Sequence, residues 1–166
     1  SLDAMGARGE LIRAGTNWDV IEDNRRQMIK ECPDVYFEIT PTVSIMNVYH
    51  LPDFHKEWID KGLLEPQNVR MNILTYPTEY RIQIIPPKER KKFIDKYTEH
   101  IKWIDDNFGD GAAKRGFESV LDFLQQENYE NLIPDFIDRN TPLDKLRGES
   151  LYQVAPELEF FRDYEH

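Results

Sequence analysis

The residues that could carry chemistry are few. His50 and His55 lie five apart, with Asp53 and Glu57 close by. A zinc-binding helix places two histidines four apart, as in HExxH, and adds a third ligand. The spacing here does not fit, so these are expected as surface or partly buried histidines. His100 stands alone in a long charged stretch and His166 ends the sequence. No metal site follows from them. Cys32 precedes Pro33 on an apolar helical face and reads as a buried, inert thiol. No GxSxG elbow, GxxxxGK[ST] loop or GxGxxG turn occurs. Carboxylates are plentiful, but no two are paired at a catalytic spacing, so no catalytic residue is assigned. The run Lys88-Glu89-Arg90-Lys91-Lys92 opens a helix, where the macrodipole disfavours cations. An anion or partner contact would explain it; a solvated helix face is the plainer reading.

Composition narrows the classes further. The 166 residues carry a net charge of −10, with 40 % apolar and 12 % aromatic side chains, enough for a buried core. The acidic balance argues against a general affinity for nucleic acid, which needs clustered Lys and Arg. One cysteine excludes an intramolecular disulfide, a CxxC zinc site and a four-cysteine cluster. No apolar run reaches the roughly 18 residues of a membrane span and no secretory signal opens the sequence, so a soluble, cytoplasmic protein is expected. Residues 110–166 hold 6 basic and 13 acidic side chains, which is most of the negative charge. Gly109-Asp110-Gly111 marks the same border, giving an expected division into 1–109 and 110–166.

The elements that must position any site can be traced by period. Ser1 to Gly6 reads as the end of a strand running into a glycine turn, as in a sequence cut inside a domain. Thr16, with Asp19 three residues on, predicts a capped helix that Pro33 stops. Val35, Phe37 and Ile39 alternate with polar neighbours and predict a strand that Pro41 ends or bulges. A helix is expected over 52–62, with Pro52 in its first turn and Gly62 past its end. Val69-Met71-Ile73 and Tyr80-Ile82-Ile84 predict two more strands. Pro86-Pro87 start a helix to about residue 107, and helices follow to the end, one over 132–138 and another capped by Thr141-Pro142. Strand–helix alternation followed by helices predicts an α/β fold with a helical tail.

The order of these segments resembles a known family. Ser1-Leu2-Asp3-Ala4-Met5-Gly6, then Ile12-Arg13-Ala14-Gly15-Thr16-Asn17-Trp18, is similar to the S-x-D-G … I-R-x-G-x-x-W stretch of radical SAM enzymes. Phe37 to Ser44, with Asn47 and Leu51-Pro52-Asp53-Phe54, looks like the fifth barrel strand and its loop; Val69 to Tyr76 looks like the sixth. Tyr80 to Pro86, Leu143 to Glu149 and Ala155-Pro156-Glu157-Leu158 are similar to the end of twitch-type members. The resemblance spans nearly the whole chain.

It implies a partial (β/α) barrel, strands four to six, followed by the helical tail. Family members bind a [4Fe–4S] cluster through a CxxxCxxC loop and cleave S-adenosylmethionine to a 5′-deoxyadenosyl radical. That loop is absent here, so by itself the chain is expected to be inactive and to bind neither group. Its implied role is a wall of the S-adenosylmethionine and substrate cleft, beside the remainder of the barrel, for an unidentified substrate, a peptide among the candidates. The implied cofactor-binding residues are Ser1, Asp3 and Arg13, with Arg13 able to hold a carboxylate by a bidentate fork. Ala4 departs from the family's glycine. Without a ligand, Arg13 is a surface charge beside a glycine turn. Thr42 and Asn47 are secondary candidates for the same cleft.

A second class stays open: a free-standing α/β binding or interaction module without catalysis. Half a barrel would expose a sheet edge and predicts a homodimer that hides it. The alternation of Glu38, Thr40, Arg70, Asn72, Arg81 and Gln83 with apolar neighbours suits either a wet barrel interior or an antiparallel sheet with one exposed face.

Overall fold

The computed structural model describes residues 2–165. Two short parallel strands, β1 (Thr42–Val43) and β2 (Asn72–Ile73), form its single sheet. Their ladder reaches back to an Ile39–Val69 bridge, with Arg70 donating to the Ile39 carbonyl and Leu74 to that of Val43, both at 2.9 Å. Helices α1 (Gly6–Ile12) and α2 (Trp18–Glu31) precede the sheet, and α3 (Leu51–Asp60) crosses between its strands. Then come α4 (Pro87–Phe108), α5 (Ala112–Leu124), α6 (Ile133–Arg147) and α7 (Leu151–Val154), with 3₁₀ turns between them and a longer 3₁₀ stretch over Pro156–Tyr164.

The fold is therefore mostly helical, with 63 % of the described residues in helix, and the expected partial (β/α) barrel is not formed. The third expected strand shows why. Ile82, Gln83 and Ile84 are all buried, so this segment has no wet face for a strand's alternation to serve. It coils into 3₁₀ turns at Thr78–Tyr80 and Ile82–Ile84 instead. Its carbonyls find partners other than a ladder: Tyr80 accepts from Ile45 N–H, and Gln83 from Tyr129 N–H and the Arg90 guanidinium. Backbone groups so satisfied give no drive to pair with β2. The opening segment, read as a strand end, runs into α1 at Gly6, whose φ of 59° suits glycine.

Several local expectations shift for identifiable reasons. Asn17, not Thr16, caps α2, its side chain accepting from Val20 N–H at 3.1 Å. Cys32 sits at the exposed C-cap of that helix, not on its buried face. Pro142 lies inside α6 and does not divide it; the helix ends at Gly148 in the left-handed region. The basic run at the start of α4 is only partly solvated. Arg90 is buried and donates to the carbonyls of Gln83, Ile85, Gln126 and Glu127 at 2.8–3.0 Å. Lys92 reaches the Glu157 carbonyl at 2.8 Å.

One apolar cluster runs through the described chain, from Leu11 and Trp18 to Leu158 and Phe161. Phe54 meets the rings of Trp18 and Trp58 edge-on, and the two indoles pack tilted at 40°, joining α2 to α3. Gly116 lets α5 approach β2: a Cβ there would meet Met71 Cγ at 3.1 Å. Arg8 of α1 makes a two-toothed ion pair with Glu157 and donates to the Val154 carbonyl at 2.9 Å, tying the C-terminal stretch to the first helix. Among the described residues no helix is long and apolar enough to cross a membrane.

Candidate functional site

The C-terminal ends of parallel strands are where α/β units place ligands, because the loops diverge there. In this chain that end carries a cavity of about 330 Å³. Asp3, Thr42 and Ser44 line one wall; Tyr80, Asn140 and Arg147 line the other. Leu11, Leu74 and Leu143 supply apolar surface between them.

The first wall is built by a polar clamp. Asp3, 7 % exposed, accepts from Thr42 N–H through Oδ1 at 2.8 Å. Its Oδ2 takes Arg13 Nε and Nη2, each at 2.8 Å. Asn47 is fully buried, and its amide donates to the carbonyls of Asp3 and Thr42 at 2.8 and 2.9 Å. The Asn47 Oδ1 accepts from Ser44 N–H at 2.9 Å. One side chain thus joins the opening segment to the end of β1 and fixes the turn that follows it. Ser44 Oγ accepts from Met46 N–H at 3.2 Å, which leaves its own proton to donate.

The opposite wall comes from the tail. Tyr80 O–H donates to Asn140 Oδ1 at 3.3 Å, and the Asn140 amide donates to the Phe136 carbonyl at 2.7 Å. Burial pushes the Tyr80 phenol above its usual range, so it stays a neutral donor and acceptor. Arg147 closes α6, where the helix dipole favours a cation. Its contacts are long: Nη1 lies 3.4 Å from the Leu11 carbonyl and 4.0 Å from Glu149.

Of the residues expected from sequence, Asp3 and Arg13 are brought together and Thr42 lines the cavity. Ser1 lies outside the described residues. Arg13 turns onto Asp3 and is half-exposed, and it is not among the side chains that line the cavity. Asn47 is a positioning residue behind the wall and does not face the cleft. Tyr80 and Arg147 lie in segments that carry the resemblance but with no site role, and Asn140 lies in none of them; only the packing of α6 over the strand ends brings the three to the cavity.

The donor set bears on the implied groups. A cluster held by three thiolates cannot come from one exposed cysteine, so these residues do not fit it. The amino-acid end of S-adenosylmethionine carries a carboxylate and an ammonium, and the guanidinium–carboxylate pair Arg13–Asp3 with its neighbouring hydroxyls fits such a zwitterion. Against known proteins, the chain matches no family model, no curated protein and no solved structure.

Proposed function

We propose that this chain supplies one wall of an S-adenosylmethionine-binding cleft in a radical SAM protein whose cluster ligands lie in a part other than these residues. The observation that carries the reading is the Asp3–Arg13 pair. The two residues singled out by the S-x-D and I-R-x-G resemblance meet at 2.8 Å beside the C-terminal end of β1. An arginine engaged by Asp3 through Nε and Nη2 keeps its remaining N–H groups for a ligand carboxylate. Thr42 and Ser44 add hydroxyls beside Asp3 on the cavity wall, with Arg13 half-exposed just outside the lining.

The roles of the chain's own groups follow. Asp3 orients the Arg13 fork, and Asn47 holds Asp3 against the turn after β1. The apolar side chains Leu11, Leu74 and Leu143 exclude water from the centre of the cleft. S-adenosylmethionine, when reduced by a cluster, supplies a carbon radical; nothing in this chain performs that reduction.

Calorimetric titration of S-adenosylmethionine into the purified chain and its Arg13→Ala variant tests the proposal. The sequence alone predicts no binding by the isolated chain; the Asp3–Arg13 pair, formed without a ligand, changes that expectation to weak saturable binding that the variant loses. Absence of heat at millimolar ligand, or binding indifferent to Arg13→Ala, overturns it and favours a binding module without this cofactor.

A further inference from the structure

The charge inside the cleft is unbalanced. Asp3 and Arg147 are the charged side chains among its lining residues. Asp3 is already matched by two Arg13 nitrogens and the Thr42 N–H, so it adds no net charge to the space. Arg147 is different. A guanidinium offers five donors, and among the described residues it makes one bond of 3.4 Å and has one carboxylate at 4.0 Å. It is about a third exposed, so it is held close to the protein surface without being fully hydrated. The cavity thus presents one under-used cation, the Ser44 hydroxyl and the Tyr80–Asn140 pair, set among leucine side chains.

We propose that the cleft binds a second ligand group, a monoanionic carboxylate attached to an apolar body, with Arg147 as its anchor. The inference rests on reading this cavity as a ligand site, but not on the identity of the cofactor. Arg147, held only by a long bond to Leu11 and by Glu149 at 4.0 Å, has donors to spare for one carboxylate; a phosphate dianion would leave excess charge against Leu11, Leu74 and Leu143. Its planar fork matches a carboxylate in two parallel bonds. Ser44 O–H is a further donor on the facing wall. The apolar lining takes the body of the ligand, be it a free acid or the C-terminal residue of a peptide.

The test uses a matched pair of probes, N-acetyl-leucine and N-acetyl-leucinamide, titrated by calorimetry into the full chain. They differ only in the charge of one group. The carboxylate is expected to bind roughly tenfold tighter than the amide, the scale of one charge-assisted hydrogen-bond pair. Arg147→Gln should erase that preference, and Arg147→Lys should restore part of it. Thermal melting of both variants checks that they fold, and Arg115→Gln, whose partner Asp110 is exposed and outside the cavity lining, should leave the preference intact. Extending the acid probe to N-acetyl-alanyl-leucine separates a free acid from a peptide end: tighter binding favours the peptide. Equal affinity for acid and amide, no binding of either, or a preference that survives Arg147→Gln overturns the proposal. Loss of S-adenosylmethionine binding without loss of this preference would instead remove only the cofactor reading.

Discussion

His55 Nδ1 and His100 Nε2 lie 2.9 Å apart between α3 and α4, in a bond whose proton can be placed. His55 Nε2 faces the Pro66 carbonyl at 2.8 Å, and a carbonyl only accepts. His55 must therefore carry its proton on Nε2 and offer a lone pair at Nδ1, so His100 Nε2 is the donor. Phe117 packs against both rings, and Trp103 stacks on His100. A second proton on His55, at Nδ1, would remove the lone pair to which His100 Nε2–H donates.

This arrangement makes stability depend on pH. Burial pushes His55 down to about 4 and His100 down to about 3, with Lys56 and Lys96 adding to the effect on His100. His50, which accepts from Met5 N–H, is likewise pushed by burial to about 4. Unfolded rings titrate near 6.5, so between these values the folded chain binds fewer protons than the unfolded one. Stability is complete above about pH 6.5 and is lost as pH falls toward 4. Each ring contributes up to about 1.4 kcal/mol per pH unit in that window. Urea midpoints measured from pH 7.5 to 5 should fall steeply, and less steeply in His100→Gln. A flat profile would contradict the neutral pair.

The Arg8–Glu157 pair predicts a double-mutant result. Both side chains are 8 % exposed, so removing one leaves the other charged and buried. Glu157→Ala should cost about 3–5 kcal/mol. Replacing both partners, as Arg8→Met with Glu157→Leu, should recover most of that loss in the same denaturation assay.

Arg90 and its neighbour Lys91 should behave oppositely despite lying in one charged run. Arg90→Ala leaves the carbonyls of Ile85, Gln126 and Glu127 without their guanidinium donor, each worth about 1 kcal/mol or more, while Gln83 keeps the Tyr129 N–H. Arg90→Lys should not rescue it, because an ammonium cannot span the fork's positions. Lys91, exposed and paired only with Asp95 one turn on, should cost less than about 0.5 kcal/mol on mutation to alanine. Thermal shift comparison of the three variants checks this.

The contrast shows what the sequence could and could not carry. Helical period and end signals located α2, α3, α4 and α5 because an apolar face and a cap are local properties. The strands were legible only in part: of the expected strand Val35 to Ile39 only Ile39 pairs, in a bridge to Val69, and β1 itself lies past Pro41, the residue expected to end or bulge that strand. Tyr80–Ile84 was not legible: its alternation is that of a strand, and burial on all sides is known only once Arg90 and Tyr129 are in place. Likewise His100 looked isolated because its partner His55 is 45 positions away. Motif order singled out Asp3 and Arg13, which the fold pairs, whereas bringing Arg147 and Asn140 to the cavity depends on how α6 docks. Cys32 was read as buried from its helical face, but α2 ends there, in solvent. Native protein should therefore react with Ellman's reagent at one thiol without denaturant; a silent thiol would contradict the exposed C-cap.

The central claim is that S-adenosylmethionine occupies the cleft at the strand ends, and the four methionines report on it separately. Met46 lines that cleft, Met5 lines a different cavity beside α1, Met28 lies on α2 and Met71 packs beneath Gly116. With ¹³C-methyl methionine in the protein, titration of S-adenosylmethionine should shift the Met46 methyl and leave Met28 and Met71 in place. Movement of Met5 alone, or no movement at any methyl, would contradict the account.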